Sequence, residues 1–228
     1  MIDEEAIALM ASTAYSIPSL FDFDLLPIID RSHVIKMIDM FMDEAITYID
    51  GLGVEPLPAK YVKEDAYILC DDLLNYIGEF EGGLIPQQII LTHISRCGKV
   101  AMLHSHPIPI PIPTVEDVLS SLQIGYRVEC IISKSSDYLA TMLCLEPLES
   151  WNSVASALHS IGGNMLESTK YIVIGDGPQI EFLPFPNIAE QSSIIQNFIG
   201  ILSIHASVLY ARIDLVDRVY DVEILNRS

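Results

Sequence analysis

Apolar residues change period several times along this chain, and the changes divide it into helices and strands. In DRSHVIKMIDMFMDEA, Val34, Met37, Ile38, Phe41 and Met42 share one stripe of a 3.6-residue repeat, with Asp30 or Ser32 placed to cap it. AITYID then reads as a strand ended by glycine, and residues 55–66, with Pro56 and Pro58, as loop around a short apolar strand, AYILC. GEFEGG, 78–83, predicts a turn. PQQIILTHISRCGK predicts a helix with its stop at Gly98. VAMLHSH is a strand, the Pro/Ile run after it an extended loop, and VEDVLSSL a helix behind Thr114. RVECIIS and YLATMLCLE form an antiparallel pair around KSSD, ASALHSIGGN a short helix, and KYIVIGDGPQIEFLPF a hairpin turning at GDGP. Residues 188–220 read as one long terminal helix.

These elements predict an α+β fold, a mixed sheet flanked by helices with a helical C-terminal extension. The expected division is an N-terminal extension over 1–30, a core domain with a late hairpin over 31–186, and the helical extension over 187–228. The chain shows no internal repeat, no G-x-G-x-x-G and no Walker A loop.

Composition narrows the partners. The chain has 228 residues, half of them hydrophobic, enough for one substantial core. Its 12 Lys and Arg stand against 31 Asp and Glu, a net charge of −19. A phosphate-neutralising surface needs the opposite balance, so no nucleic-acid partner is expected. Cys70, Cys97, Cys130 and Cys144 form no C-x-x-C pair, and reduced, buried thiols in a cytoplasmic protein are the simplest expectation. The start, MIDEEAIALM, is acidic where an export signal would be basic. QSSIIQNFIGILSIHASVLYA, 191–211, carries no formal charge, but its polar residues gather on one helical side. An amphipathic helix, buried or used as an oligomer contact, is expected there rather than a membrane span.

The chemistry concentrates in HSHPIPIPIPTVED, 104–117. Residues two apart on a strand face the same way, so His104 and His106 converge and supply half of a zinc site. Ser105 faces the other way, which argues against a serine nucleophile. Pro107, Pro109, Pro111 and Pro113 fix φ at alternate positions and lower the entropy cost of holding the loop. The loop delivers Thr114 as an N-cap and Asp117 into the first helical turn. Two nitrogens and one oxygen leave a fourth position for water, the pattern of a catalytic zinc site.

The string H-S-H-P, seven residues, Thr, two residues, Asp resembles the signature of the JAMM (MPN+) metalloproteases, which include the proteasome-lid-like deubiquitinases. Thr114 stands where the family usually has serine, keeping the hydroxyl. The resemblance covers about residues 31–150 and implies an MPN, cytidine-deaminase-like, fold. It implies Zn²⁺ on His104, His106 and Asp117, and Thr114 as a hydrogen-bond donor to the oxyanion. It also implies an upstream glutamate as general base. Glu44, at a helix end before a strand and 60 residues before His104, fits that place best, with Glu55, Glu64, Glu79 and Glu81 as rivals in loop-like stretches. The implied activity is cleavage of a peptide or isopeptide bond at the C-terminus of a ubiquitin-like modifier, whose tail would add as a strand near the metal. Processing of a sulfur-carrier protein, a non-catalytic scaffold subunit pairing through its terminal helix, and a RadC-like role stay open beside it. His33, His93, His159 and His205 have no ligand spacing to one another, and Trp151 reads as a packing anchor.

Overall fold

The computed structural model describes residues 63–70, 73–81, 85–97, 100–106, 109–136, 138–162, 171–176, 179–184, 188–214 and 220–225. The helix and strand expected over 30–50, Glu44 among them, lie outside the described residues, as does the expected extension over 1–30.

The fold is α+β. Strands β1 (Lys63–Cys70), β2 (Leu73–Glu81), β3 (Val100–Ser105), β4 (Val128–Ser136), β5 (Leu139–Pro147), β8 (Ala206–Asp214) and β9 (Tyr220–Leu225) form one mixed sheet, in the order β2-β1-β3-β4-β5-β8-β9. All neighbours are antiparallel except β3 and β4. Strands β6 (Tyr171–Asp176) and β7 (Gln179–Pro184) pair as the predicted hairpin, outside the main sheet. The helices are α1 (Gln87–Ile94), α2 (Val115–Ile124), α3 (Trp151–Gly162) and α4 (Ile188–Leu202).

Register shows which side chains share a face. Ala66 lies opposite His104, His104 beside Ile131, Ile131 opposite Leu143, and Leu143 opposite Tyr210. On this face two apolar clusters form. In one, Ile90 of α1 packs with Ala66, Ile68, Met102 and Tyr126. In the other, Val118, Val154, Leu158, Phe198 and Leu202 from α2, α3 and α4 cover Leu143, Leu145, Val208 and Tyr210. The opposite face, with Leu103, Ile132 and Met142, is buried as well. That double burial is why VAML and CII read as unbroken apolar runs rather than alternating ones.

Several expectations change. Residues 78–81 of GEFEGG are strand rather than turn: they lie within β2, where the pairing of β1 with β2 shifts between Ala66 and Tyr67, and residues 82 and 83 lie outside the described residues. Gly78 sits at that shift with φ +144°, a conformation other residues resist, so it serves a bulge. The terminal helix stops at Leu202, and the chain returns as β8 and β9 in the main sheet. The charge-free run hides a change of period there. After the turn at 203–205, Val208 and Tyr210 face one way and Leu209, Ala211 and Ile213 the other, all buried. The helical extension expected over 187–228 is therefore part of the sheet domain. Of the two uses expected of the helix's apolar face, burial is the one observed: the face bearing Ile194, Phe198 and Leu202 packs in the chain's own core.

The thiols are not reduced. Cys130 and Cys144 are register partners on β4 and β5 and form a disulfide, their Cα atoms 4.0 Å apart. Cys70, ending β1, is bonded to Cys97, just past α1. Chain spacing could not show either pairing, because both depend on the strand register and on where α1 returns.

Phe198 is 3% exposed. Phe198→Ala should cost about 3–5 kcal/mol of stability, as large-to-small core changes do. Chemical denaturation measures the loss, and light scattering should show an unchanged assembly state up to the transition.

Candidate metal centre

The parallel pair creates the site. Antiparallel strands can be joined by a short turn, but β3 must cross over to reach β4, and the Pro/Ile loop and α2 make that crossing. The crossing sets the start of α2 beyond the C-terminal end of β3, where open sheets hold their ligands. The loop is anchored by burial: Ile110 and Ile112 join the larger apolar cluster. The backbone N–H of His106 donates to the carbonyl of Ile132 at 2.9 Å, carrying the β3–β4 ladder one residue past the strand end. Ser105 faces away, as the alternation requires, and its Oγ accepts the Asp65 backbone N–H at 2.9 Å.

Thr114 caps α2 through a reciprocal capping box. Its Oγ1 accepts the backbone N–H of Asp117 at 3.1 Å, and its own backbone N–H donates to Asp117 Oδ2 at 2.7 Å. The Thr114 hydroxyl donates to the same oxygen at 2.8 Å. Asp117 is thus locked by the helix start, with Oδ2 occupied by the cap and Oδ1 turned to His104. In this arrangement the hydroxyl proton expected to serve an oxyanion is given to Asp117 instead.

The structure brings His104, His106 and Asp117 together, with one ligand atom from each, all within 4.8 Å of one another. The Nε2 atoms of His104 and His106 are 3.0 Å apart, His106 Nε2 is 3.3 Å from Asp117 Oδ2, and His104 Nε2 is 3.6 Å from Oδ1. Ligands at zinc distances of about 2.0–2.1 Å in a tetrahedron stand about 3.3 Å from one another. The imidazole–imidazole distance and the shortest imidazole–carboxylate distances, which end on different oxygens of Asp117, lie near that value, and two imidazole nitrogens with a carboxylate suit zinc chemically. Both histidines are buried, at 3% and 4% exposure. At 3.0 Å the two Nε2 atoms need either a hydrogen that one ring donates to the other's lone pair or a metal ion that faces both lone pairs.

The surrounding carboxylates favour a positive charge here. Burial, the largest influence on His104, opposes its protonation. Asp117, a hydrogen bond and charge from Glu129, and Glu64 outweigh it and raise the imidazole to about 10. Asp117 is held below the usual carboxylate range: burial works against its ionised form, but His104, His106 and the Thr114 backbone prevail. Burial pushes Glu64 up, with His106 and His104 pulling back. Burial likewise pushes Glu129 up, against the pull of His104 and Ser121.

Two of these carboxylates are sited differently from expectation. Glu64 lies on β1, not in a loop. It is two residues from Ala66, the partner of His104, so it shares the histidines' face and lies level with His106. Glu129 was not singled out by motif or spacing. It lies on β4 with Oε1 2.9 Å from His104 Nδ1, and its signal is a lone charge inside the apolar strand VECII. His93 and His159 lie exposed on α1 and α3, and His205 follows α4; none reaches the site. Trp151 is the anchor expected, its Nε1 donating to the Tyr126 carbonyl at 2.8 Å. Among the described residues no helix is long and apolar enough to cross a membrane.

Compared with known proteins, the chain matches no family model, no curated protein and no solved structure.

A metal must displace the proton that His104 holds. Because the folded pKa of His104 is above its unfolded value, its protonation stabilises the metal-free protein fully below about pH 6.5, and this stability is lost as pH rises through about 10. At pH 7.5, calorimetric titration with zinc in buffers of different ionisation enthalpy should show about one proton released per ion, and affinity should climb with pH across that window.

Proposed function

We propose that this chain is a zinc metallopeptidase of the JAMM (MPN+) type, cleaving a peptide or isopeptide bond at the C-terminus of a ubiquitin-like modifier. The observation that carries the reading is the meeting of His104, His106 and Asp117 at one point, in the H-S-H-P and T-x-x-D spacing, with a buried glutamate on the adjacent strand. The arrangement of helices on a mixed sheet is compatible with an MPN fold. The modifier as substrate rests on the resemblance of the motif.

His104 Nε2, His106 Nε2 and one carboxylate oxygen of Asp117 would hold the ion. When bound, zinc supplies Lewis acidity that lowers the pKa of a coordinated water toward about 7. The protein's part is positioning and proton transfer. The capping box fixes Asp117, and the β3 ladder fixes both imidazoles. A glutamate takes a proton from the attacking water and returns it to the departing amine. Thr114 could serve the oxyanion by turning its hydroxyl from Asp117, whose Oδ2 keeps the Thr114 backbone N–H.

Two glutamates compete for the proton-transfer role. Glu44 holds the family's position in sequence. Glu64 is favoured by its placement: it is 8% exposed, on the histidines' face, and electrostatically coupled to both of them. Burial also raises its affinity for a proton.

Purified protein should carry about one zinc per chain by elemental analysis, and His106→Ala or Asp117→Ala should lose most of it; full retention in both would remove this ligand set. In a conjugate-cleavage assay, Glu64→Gln should keep the metal and lose turnover by about 10²-fold or more. Activity that survives Glu64→Gln and disappears in Glu44→Gln would transfer the role to Glu44.

A further inference from the structure

Glu129 is 2% exposed and lies on the face shared by two apolar clusters. Its register neighbours are Met102 on β3 and Leu145 on β5, both buried. A carboxylate taken from water into such surroundings is costly, and apolar side chains of similar size often serve stability as well or better. Its ion pair with His104 and its hydrogen bond from Ser121 tie it to the metal centre and to the helix that carries Asp117.

One contact is with His104: Glu129 Oε1 is 2.9 Å from Nδ1, the ring standing off the line of an ideal N–H···O bond. The other is with Ser121 on α2, whose hydroxyl donates to Oε2. Ser121 is itself fixed from the main chain. Its carbonyl accepts the N–H groups of Gly125 and Tyr126 at the end of α2, at 2.9 and 3.1 Å, where Gly125 takes the left-handed conformation at φ +88°. The path therefore runs from a helix end through a hydroxyl and a carboxylate to one nitrogen of one histidine. Both Nδ1 atoms are buried without a hydrogen bond of normal geometry, but His104 Nδ1 has a carboxylate oxygen 2.9 Å away.

An imidazole can present a lone pair on only one nitrogen when the other bears the proton. A carboxylate at Nδ1 keeps the proton there and leaves the lone pair on Nε2, which is the atom that faces His106 and Asp117. We propose that Glu129, tethered by Ser121, is a positioning residue that fixes the tautomer and ring orientation of His104 for metal binding. The proposal rests on His104 being a metal ligand.

The test uses the full chain and zinc alone. Zinc affinity is measured by competition with a chromophoric chelator, and the His104 Nδ1–H is followed in the ¹H–¹⁵N spectrum of zinc-loaded, ¹⁵N-histidine-labelled protein. Glu129→Gln has the same shape and should fold as wild type by circular dichroism. It should bind zinc about tenfold or more weakly, the range seen when such partners are removed, and its Nδ1–H should exchange faster with solvent. A folded Glu129→Gln variant with zinc affinity within twofold of wild type and an unchanged Nδ1–H signal overturns the proposal and leaves the metal centre standing. If Glu129→Gln does not fold, Ser121→Ala takes its place, because it keeps the carboxylate and removes its tether. A severalfold loss of affinity with faster Nδ1–H exchange supports the path, and wild-type behaviour overturns it. Wild-type protein that takes up no zinc overturns both the metal centre and this role.

Discussion

Two imidazole nitrogens held 3.0 Å apart in a buried site are the constraint around which the molecule is arranged. With both lone pairs facing inward the pair would repel; a hydrogen donated by one ring to the other relieves this, and so does a cation. Bridged by a cation or a shared proton, it becomes the best-defined point in the fold. The nearby carboxylates on β1, β4 and α2 favour such a charge at their centre. Buried acids each carry a desolvation cost, and three around two histidines would be destabilising in a core with no positive charge to meet.

The sheet supplies the rigidity this needs. Both faces of β3 are covered, so neither histidine can swing out without disturbing packed side chains. The ladder to β1 on one side and β4 on the other fixes the backbone beneath His104. The third ligand comes from a helix start rather than a strand, where the cap that begins the helix also restricts the carboxylate. Strand, loop and helix are consecutive in the chain, so most of the centre is assembled by local order once β3 and β4 are paired.

That locality explains what was legible in the sequence. His104, His106, Thr114 and Asp117 stand in one short segment, and strand alternation with a helix cap is enough to bring them together. Ser105 facing away and Trp151 as an anchor follow from the same local rules. What was not legible depends on register between distant strands. Glu64 looked like a loop residue because prolines precede it, yet β1 begins at Lys63 and sets it beside the histidines. Glu129 becomes recognisable only when β4 is laid parallel to β3. The terminal segment was misread because a run without charges satisfies helical and strand patterns alike, and the turn at 203–205 has neither proline nor glycine to mark it. The hairpin that joins Cys130 to Cys144 was legible but its register was not, because the pairing shifts between Lys134 and Ser136.

The Pro/Ile run has a consequence for how such a chain can change over evolutionary time. Ile110 and Ile112 feed the core while the prolines between them stiffen the backbone, so the segment works as a ruler with a two-residue graduation. Losing or duplicating one Pro-Ile unit would move the helix start along the sheet but keep isoleucine and proline in phase. A single-residue insertion would exchange their places, setting proline rings into the isoleucine sites. Length variation in this connection should therefore arrive in pairs, and each pair would reset the distance between the histidine strand and the aspartate helix.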